Sequence, residues 1–166
     1  MNSNFEGLMQ IEDLPGALFV VDVQNCYMEK YEDELLEKIN RRIRVAENEQ
    51  ECIVYIQNTK CLRNGKKTAE FAEGLVIASE HIFCKEHANA FSNEQISAFL
   101  EQKEVKEIEI IGVDGNFCVA ASAAGAKELG YPVSLNIGCI GTQNSSRFFH
   151  TKQVLSKKGI IFKKIF

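Results

Sequence analysis

Short apolar stretches alternate with longer amphipathic segments along the chain, and no segment repeats another at a fixed period. An apolar run of about four to eight residues that is bounded by polar positions is typical of a strand. The first run, residues 16–23, is apolar at nearly every position, as expected for a central parallel strand covered on both faces. The same criterion predicts further strands at residues 51–58, 81–85, 107–113, 132–138 and 160–165.

The amphipathic segments between these strands predict helices. Residues 31–49 place Leu35, Ile39 and Ile43 on one stripe with charged residues opposite. Further helices are predicted after a Ser92 cap, across the small residues that end at Gly130, and over residues 145–159. Residues 59–79 are polar and basic at first and then mildly apolar, which predicts a loop with a short helix.

Strands that alternate with helices specify parallel pairing through right-handed crossovers. We therefore predict an α/β protein with three layers, α/β/α, arranged around a six-stranded, mostly parallel sheet in a flavodoxin-like or Rossmann-like fold. The chain length of 166 residues fits a single domain over residues 1–166. A domain of this size can bury one large core without support from disulfides or metal.

Charge and hydropathy narrow the classes of partner. The net charge of -4 is spread along the chain without a block of like charges, which argues against nucleic acid as a partner. No apolar stretch approaches the ~20 residues of a membrane span, and the N-terminus lacks a basic segment followed by a hydrophobic one. We therefore expect a cytoplasmic protein that binds neither nucleic acid nor membrane.

The six cysteines include no C-x-x-C pair, and several lie in apolar runs, where a free cysteine packs as a small hydrophobic residue. We expect reduced thiols, with structural roles for Cys26, Cys52, Cys61, Cys84 and Cys139. Because the histidines form no short-spaced pairs with the cysteines, we expect no metal. A glycine-rich phosphate loop does not follow the first strand, so we expect no nucleotide or flavin cofactor.

Three chemically distinct side chains lie at the ends of predicted strands or just after them: Asp22, Lys85 and Cys118. Ligands of open parallel sheets bind beyond the carboxyl ends of the strands, so these side chains are predicted to converge at one edge. The combination suits an activated nucleophile, because a cation and a helix N-terminus lower the pKa of a thiol and a carboxylate accepts its proton. Each residue alone also has a structural interpretation, as a buried cysteine, a surface lysine and a helix cap.

Three strings on these elements, ALFVVDVQN, FCKEHANAF and IIGVDGNFCVAASAAGAKELGY, resemble the isochorismatase-like cysteine hydrolases. This superfamily includes nicotinamidase and N-carbamoylsarcosine amidohydrolase. The resemblance covers most of the chain, and its most specific part is the set Gly112, Asn116, Cys118 and Val119 together with the D-x-Q at Asp22. It implies a Rossmann-like hydrolase fold and a homo-oligomer, either a dimer or a larger assembly.

The resemblance implies a role for each residue that matches the motif. Cys118 matches the nucleophile, Asp22 the carboxylate that takes its proton, and Lys85 the cation that stabilises the thiolate. The backbone N–H groups of Asp114 and Cys118 match the oxyanion hole, with a cis peptide bond between Val113 and Asp114. These roles imply cleavage of a C–N bond in a small amide or carbamoyl compound through a Cys thioester.

Two departures from the family pattern bear on this expectation. Nicotinamidases carry a metal-binding Asp-x-His pair after the second strand, where this chain has IQNTKCLRNGKK, which argues against a metal and against nicotinamide as the substrate. Gly115 replaces a Thr of the family, and the Asp114 carboxylate would raise the pKa of the thiol if it pointed inward. These departures leave an alternative open, a catalytically idle binding or oligomerisation module on the same fold.

Three further residues are candidates for substrate binding. Gln24 is expected to hydrogen-bond either the substrate or the loop at Asp22. Phe91 and Phe117 are expected either to wall the pocket or to belong to the core, because an apolar side chain near the start of a helix suits both positions.

Overall fold

The computed structural model describes residues 15–165, and within this range no helix is long and apolar enough to cross a membrane. The strands are β1 (Gly16–Val21), β2 (Cys52–Asn58), β3 (Leu62–Arg63), β4 (Lys66–Lys67), β5 (Ile82–Lys85), β6 (Glu107–Val113), β7 (Val133–Gly141) and β8 (Ile161–Lys163). The helices are α1 (Asn25–Met28), α2 (Asp33–Asn48), α3 (Glu94–Gln102), α4 (Cys118–Glu128) and α5 (Ser145–Lys157), with a 3₁₀ turn at Ala90–Ser92.

Six of the strands form one sheet in the order β5-β2-β1-β6-β7-β8, and all of its pairings are parallel. The central strand β1 pairs with β2 and β6, so that Phe19 lies beside Val54 on one side and Ile110 on the other. The short strands β3 and β4 form a separate antiparallel hairpin. The predicted six-stranded parallel α/β fold is confirmed.

Alternate residues of β1 pack into core layers on opposite faces of the sheet. Leu18 belongs to the layer that contains Ile39 of α2, and both side chains are fully buried. Phe19 belongs to the layer that contains Val119 of α4 and Phe148 of α5. Because helices cover both faces, the central strand is apolar at every position, and the alternation typical of a half-exposed strand is absent.

The structure differs from the sequence-based prediction between β2 and β5. Residues 59–79 contain the β3–β4 hairpin and an extended segment, and the expected short helix is absent there. Side chains from α2 and β2 bind this segment: Asn40 donates to the Gly74 carbonyl at 2.9 Å, and the Tyr55 hydroxyl donates to the Val76 carbonyl at 2.8 Å. These contacts satisfy backbone groups that a helix would otherwise pair internally.

The predicted cap of α3 is displaced by one residue. The Asn93 side chain accepts a hydrogen bond from the Gln95 N–H at 3.0 Å, whereas the Ser92 hydroxyl donates to the Asn89 carbonyl at 2.7 Å. Serine and asparagine are both good N-cap residues. Because the serine hydroxyl is already bonded within the preceding 3₁₀ turn, the asparagine caps the helix.

The expectation of six reduced cysteines is wrong for one pair. Cys26 and Cys61 form a disulfide, with their Cα atoms 6.2 Å apart. They are 35 residues apart in the chain, but β1 and β2 are neighbouring parallel strands, so the segments that follow them begin side by side. The disulfide joins α1 to the connection after β2. Cys52, Cys84, Cys118 and Cys139 are free thiols.

Candidate active site

Three strand ends bring Asp22, Lys85 and Cys118 together at the carboxyl edge of the sheet. Asp22 follows β1, Lys85 is the last residue of β5, and Cys118 begins α4 after β6. The Lys85 ammonium lies 3.0 Å from Oδ2 of Asp22, and both side chains are almost completely buried. The Cys118 thiol is close enough to interact with both of these groups. The convergence predicted from the strand order is therefore present in the structure.

The backbone at Asp22 adopts a left-handed conformation, with φ of 55°. Its N–H donates to the Ile56 carbonyl at 3.0 Å, which holds the residue beside the end of β2. An L-residue other than glycine rarely adopts this conformation, and such residues concentrate where a side chain must be aimed. The turn directs the carboxylate across the sheet edge toward Lys85.

Lys85 is supported by the segment that follows it. Its ammonium donates to the His87 carbonyl at 3.1 Å. The segment is fastened to α4 because the Ser122 hydroxyl accepts a hydrogen bond from the Ala90 N–H at 2.9 Å. The small residues noted in the sequence of α4 permit this close approach: a side chain at Gly125 would collide with Asn89.

Burial dominates the protonation of the site. It raises the pKa of the Asp22 carboxyl, against the opposing effect of the Lys85 charge. Burial and then the Asp22 charge raise the pKa of the Cys118 thiol to about 11, although Lys85 acts in the opposite direction. Burial and the Asp22 charge therefore outweigh the lowering of the thiol pKa by the Lys85 cation. The thiol is neutral near pH 7, so an attack by sulfur requires a proton acceptor, and Asp22 is adjacent.

The turn between β6 and α4 leaves two backbone donors unengaged. The N–H groups of Gly115, Asn116 and Phe117 donate to the Gly141 carbonyl, the Asp114 carboxylate and the Asp114 carbonyl, respectively. Within residues 15–165, the N–H groups of Asp114 and Cys118 have no acceptor. The peptide bond that precedes Asp114 is cis. Two free amides in one turn beside the thiol are suited to binding a negatively charged oxygen.

Packing explains why residue 115 is a glycine. A Cβ atom at Gly115 would lie 2.7 Å from Cε2 of Phe148 and 3.0 Å from Cγ2 of Ile140. The Asn116 side chain anchors the turn to α5 and to the connection before it. Its amide nitrogen donates to the Thr142 hydroxyl at 2.9 Å, and its amide oxygen accepts from the Thr151 hydroxyl of α5 at 2.7 Å. The large Phe148 side chain occupies the space that a threonine would need.

The three candidate substrate-binding residues have different environments. Gln24 is fully buried, and its amide is paired with the Asn58 backbone in both directions, at 3.1 and 2.7 Å. Gln24 therefore joins the ends of β1 and β2, and its backbone N–H donates to the Asp22 carbonyl at 2.8 Å. Phe91 packs into the core and stacks on Phe19 with ring centroids 5.6 Å apart. Phe117 is 53% exposed, and the Arg147 guanidinium lies 4.7 Å from its ring centroid.

Two tyrosines near the site were not singled out from the sequence. Burial raises the pKa of Tyr27 to about 12, and the charges of Asp22 and Cys118, which lie near this phenol, add to the effect. The Tyr31 hydroxyl donates to the Asp114 carboxylate at 2.9 Å, and burial is the main cause that raises the pKa of this tyrosine. Both tyrosines follow the Asp22 turn closely and are four residues apart, and this spacing is the feature of the sequence that could have indicated their place near the site.

The described residues contain no group of three or more His, Cys, Asp or Glu side chains that could hold a metal ion. In the segment that ends β2, the Asn58 side chain accepts a hydrogen bond from the Lys60 N–H at 2.9 Å. Cys61 of the disulfide comes directly after Lys60. The reactive groups that this edge of the sheet presents are the thiol, the carboxylate, the ammonium and the two amides.

Comparisons with known proteins bear on the family and the fold of the chain. The sequence model of the Isochorismatase domain matches residues 16–156, whereas no curated protein sequence matches the chain significantly. The solved pyrazinamidase of Pyrococcus horikoshii in complex with zinc is 22% identical, with a TM-score of 0.78 over 91% of this chain and 99% of that one. The nicotinamidase of Staphylococcus aureus is 18% identical, with a TM-score of 0.80 over 91% and 98%.

A third similar structure is the N-carbamoylsarcosine amidase of Thermoplasma acidophilum, which is 16% identical with a TM-score of 0.76 over 91% of this chain and 96% of that one. At these identities the likeness shows a shared fold. The match to the family model, which extends over most of the chain, confirms the resemblance that the motifs indicated.

Proposed function

Because the chain belongs to the isochorismatase family, we propose that it is a cysteine hydrolase that cleaves the C–N bond of a small amide or carbamoyl compound. The observation that carries the proposal is that the half-buried Cys118 thiol lies beside the buried Asp22 and Lys85 at the carboxyl edge of the sheet. A nucleophile beside a base, with the base paired to a third group, is the arrangement that covalent catalysis requires.

In the first half-reaction, the Cys118 sulfur attacks the carbonyl carbon of the amide while its proton passes to the Asp22 carboxylate. The carbonyl oxygen becomes an oxyanion that the N–H groups of Asp114 and Cys118 stabilise. The C–N bond then breaks, and Asp22 returns the proton to the departing nitrogen, so that ammonia or an amine leaves. The acyl group remains on sulfur as a thioester.

In the second half-reaction, a water molecule attacks the thioester carbonyl and gives its proton to Asp22. The C–S bond breaks, the product leaves as a carboxylic acid or carbamic acid, and the thiol is restored by the proton from Asp22. Lys85 favours the ionised form of Asp22 between turnovers, because its charge acts against the larger effect of burial on the carboxyl pKa. The same base therefore serves both half-reactions.

The names of the similar structures suggest which compounds to test. They include enzymes that act on pyrazinamide, nicotinamide and N-carbamoylsarcosine. The lack of a metal-binding pair after β2 favours carbamoyl compounds and simple amides over nicotinamide. We expect ammonia release from at least one member of a panel that contains these compounds and short aliphatic amides.

The test compares the wild type with Cys118→Ala and Cys84→Ala in an ammonia-release assay. Cys84 is an exposed thiol on the edge strand β5, so its removal controls for the loss of a cysteine as such. We expect Cys118→Ala to lose turnover by a factor on the order of 10³ or more, and Cys84→Ala to retain it. Retained turnover in Cys118→Ala would remove the mechanism.

The alternative of an idle binding or oligomerisation module makes a different prediction for the same panel. The neutral thiol and the exposed Phe117 beside it are the observations that favour this alternative. An idle module would release no ammonia from any compound and would form no acyl adduct on Cys118 by mass spectrometry. An adduct on Cys118 that water then removes supports the hydrolase.

A further inference from the structure

The carboxylate of Asp114 is held by donors from three directions. Its Oδ1 accepts the Asn116 N–H at 2.7 Å, and its Oδ2 accepts the Gln143 N–H at 3.0 Å and the Tyr31 hydroxyl at 2.9 Å. Asn116 belongs to the same turn and Gln143 to the connection between β7 and α5. Tyr31 is the side-chain donor of the set, and it reaches Asp114 across 83 residues of sequence.

Tyr31 is placed for this contact by close packing. It lies in the link between α1 and α2, and its ring rests on Gly141, where a Cβ atom would lie 2.8 Å from Cδ1 of the ring. Gly141 in turn accepts the Gly115 N–H at 2.8 Å. The same ring therefore packs against the residue that braces the turn and directs its hydroxyl at the first residue of that turn.

The Asp114 carboxylate is a hazard for the reaction described above. The residue carries one of the two amides that would stabilise the oxyanion, so its own negative charge belongs to the same short turn. A carboxylate that swung toward the sulfur would repel the oxyanion and disfavour the thiolate. In the structure the Asp114 carboxylate accepts hydrogen bonds from Asn116, Gln143 and Tyr31. The pKa of Cys118 is raised by burial and by Asp22.

We propose that Tyr31 is a positioning residue, which holds the Asp114 carboxylate away from the thiol and from the oxyanion that forms there. The inference rests on the proposed hydrolase function and deepens it. It explains how this chain can have an acidic residue at a position whose backbone N–H would bind the oxyanion. A buried phenol suits this task, because it donates a directional hydrogen bond and adds no charge.

The experiment measures Tyr31→Phe, Asp114→Asn and the double variant. Phenylalanine keeps the ring on Gly141 and removes only the hydroxyl, and asparagine keeps the shape of Asp114 and removes its charge. We expect Tyr31→Phe to lower kcat roughly tenfold with KM within about twofold, a smaller loss than deletion of an oxyanion donor. In the Asp114→Asn background, the same change should alter kcat less than about twofold.

A matched control separates this effect from general damage to the fold. Tyr131→Phe removes a hydroxyl on the other side of the molecule, after α4, and should leave kcat unchanged. Thermal unfolding of each variant reports whether stability has changed. A purely structural role for Tyr31 would lower kcat by the same factor in both backgrounds, and that outcome, like an unchanged kcat in Tyr31→Phe, would overturn the proposal.

A second measurement is independent of turnover. The rate of alkylation of Cys118 by iodoacetamide is followed against pH by peptide mass spectrometry. A released carboxylate should shift the midpoint upward in Tyr31→Phe and leave it unshifted in the double variant relative to Asp114→Asn. An unchanged midpoint in Tyr31→Phe overturns the inference even if no amide is cleaved, whereas failure of the wild type to release ammonia counts against the proposed function alone.

Discussion

Both ends of the parallel sheet contain a buried ion pair, but the two pairs differ in the groups that lie beside the carboxylate. At the amino end, Arg42 of α2 donates from Nε to the Glu109 carboxylate of β6 at 2.6 Å. Its Nη2 donates to both oxygens of Glu51, at 3.0 and 2.8 Å, and Lys163 of β8 contacts Glu109 as well. A cavity of about 1100 Å³ lies at this end of the sheet.

At the carboxyl end, the Lys85 ammonium and the Cys118 thiol lie beside the Asp22 carboxylate. Among residues 15–165, neither oxygen of Asp22 has a well-aligned hydrogen-bond partner, and the same holds for Nη1 of Arg42 and Oε1 of Glu109 at the amino end. A buried polar atom without an aligned partner is energetically costly at either end of the sheet. The two ends therefore differ in the neighbour of the carboxylate: Asp22 lies within hydrogen-bonding reach of the Cys118 thiol, whereas Glu109 is held between the charges of Arg42 and Lys163.

The largest expected effect is the loss of activity on neutralising the Asp22 carboxylate, which lies beside the thiol. Asp22→Asn keeps the shape of the side chain but cannot accept a proton, so turnover should fall by about 10²–10⁴-fold in an ammonia-release assay. The matched change at the other end, Glu109→Gln, should leave the turnover of folded enzyme within about twofold. Comparable losses in the two variants would erase the distinction between the two ends.

The ion pair at the amino end, Arg42 with Glu109, should matter for stability instead. Arg42→Met leaves Glu109 buried with one partner fewer, so the free energy of unfolding in urea should fall by about 3 kcal/mol. Arg44→Met, an exposed change on the same helix, should alter it by no more than about 0.5 kcal/mol. The prediction fails if Arg42→Met leaves the free energy of unfolding unchanged, or if it lowers the kcat of the folded enzyme.

A smaller stability effect is expected at the turn that carries the free amides. Gly115→Ala puts a Cβ atom 2.7 Å from the Phe148 ring, and such overpacking costs about 1–3 kcal/mol. Phe148→Leu should relieve the collision, so the penalty of Gly115→Ala should be smaller in that background when both are measured by denaturant midpoints. An equal penalty in both backgrounds would show that Phe148 is not the obstacle.

The smallest expected effect is a shift in the titration of the thiol. Iodoacetamide should alkylate Cys118 with a midpoint near pH 11, because burial and Asp22 both disfavour the thiolate. Removing the negative charge in Asp22→Asn should lower the midpoint, whereas Lys85→Met should raise it. Exposed Cys84 provides the internal reference for the reagent. A wild-type midpoint at or below 9.0, the ordinary value, would contradict the assignment of burial as the dominant cause.

Much of the site was predictable because it depends on backbone order. Asp22, Lys85 and Cys118 lie at ends of strands whose apolar runs are visible in the sequence, and parallel strands bring such ends to one edge. The Gln24 contact with Asn58 and the absent helix in residues 59–79 were not predictable, and the choice between pocket and core for Phe91 was left open. Each depends on a side chain from another element that competes for the same space or hydrogen bond.

The sequence by itself determined the parallel α/β fold, the family and the three side chains at the strand ends, because hydrophobic periodicity and short motifs are local properties of the chain. Only the tertiary structure decided the protonation of Cys118, the pairing of Cys26 with Cys61 and the contact between Tyr31 and Asp114. Burial and side-chain direction arise from residues that are distant in sequence, and both depend on ångström-scale packing that a pattern of residue types does not encode.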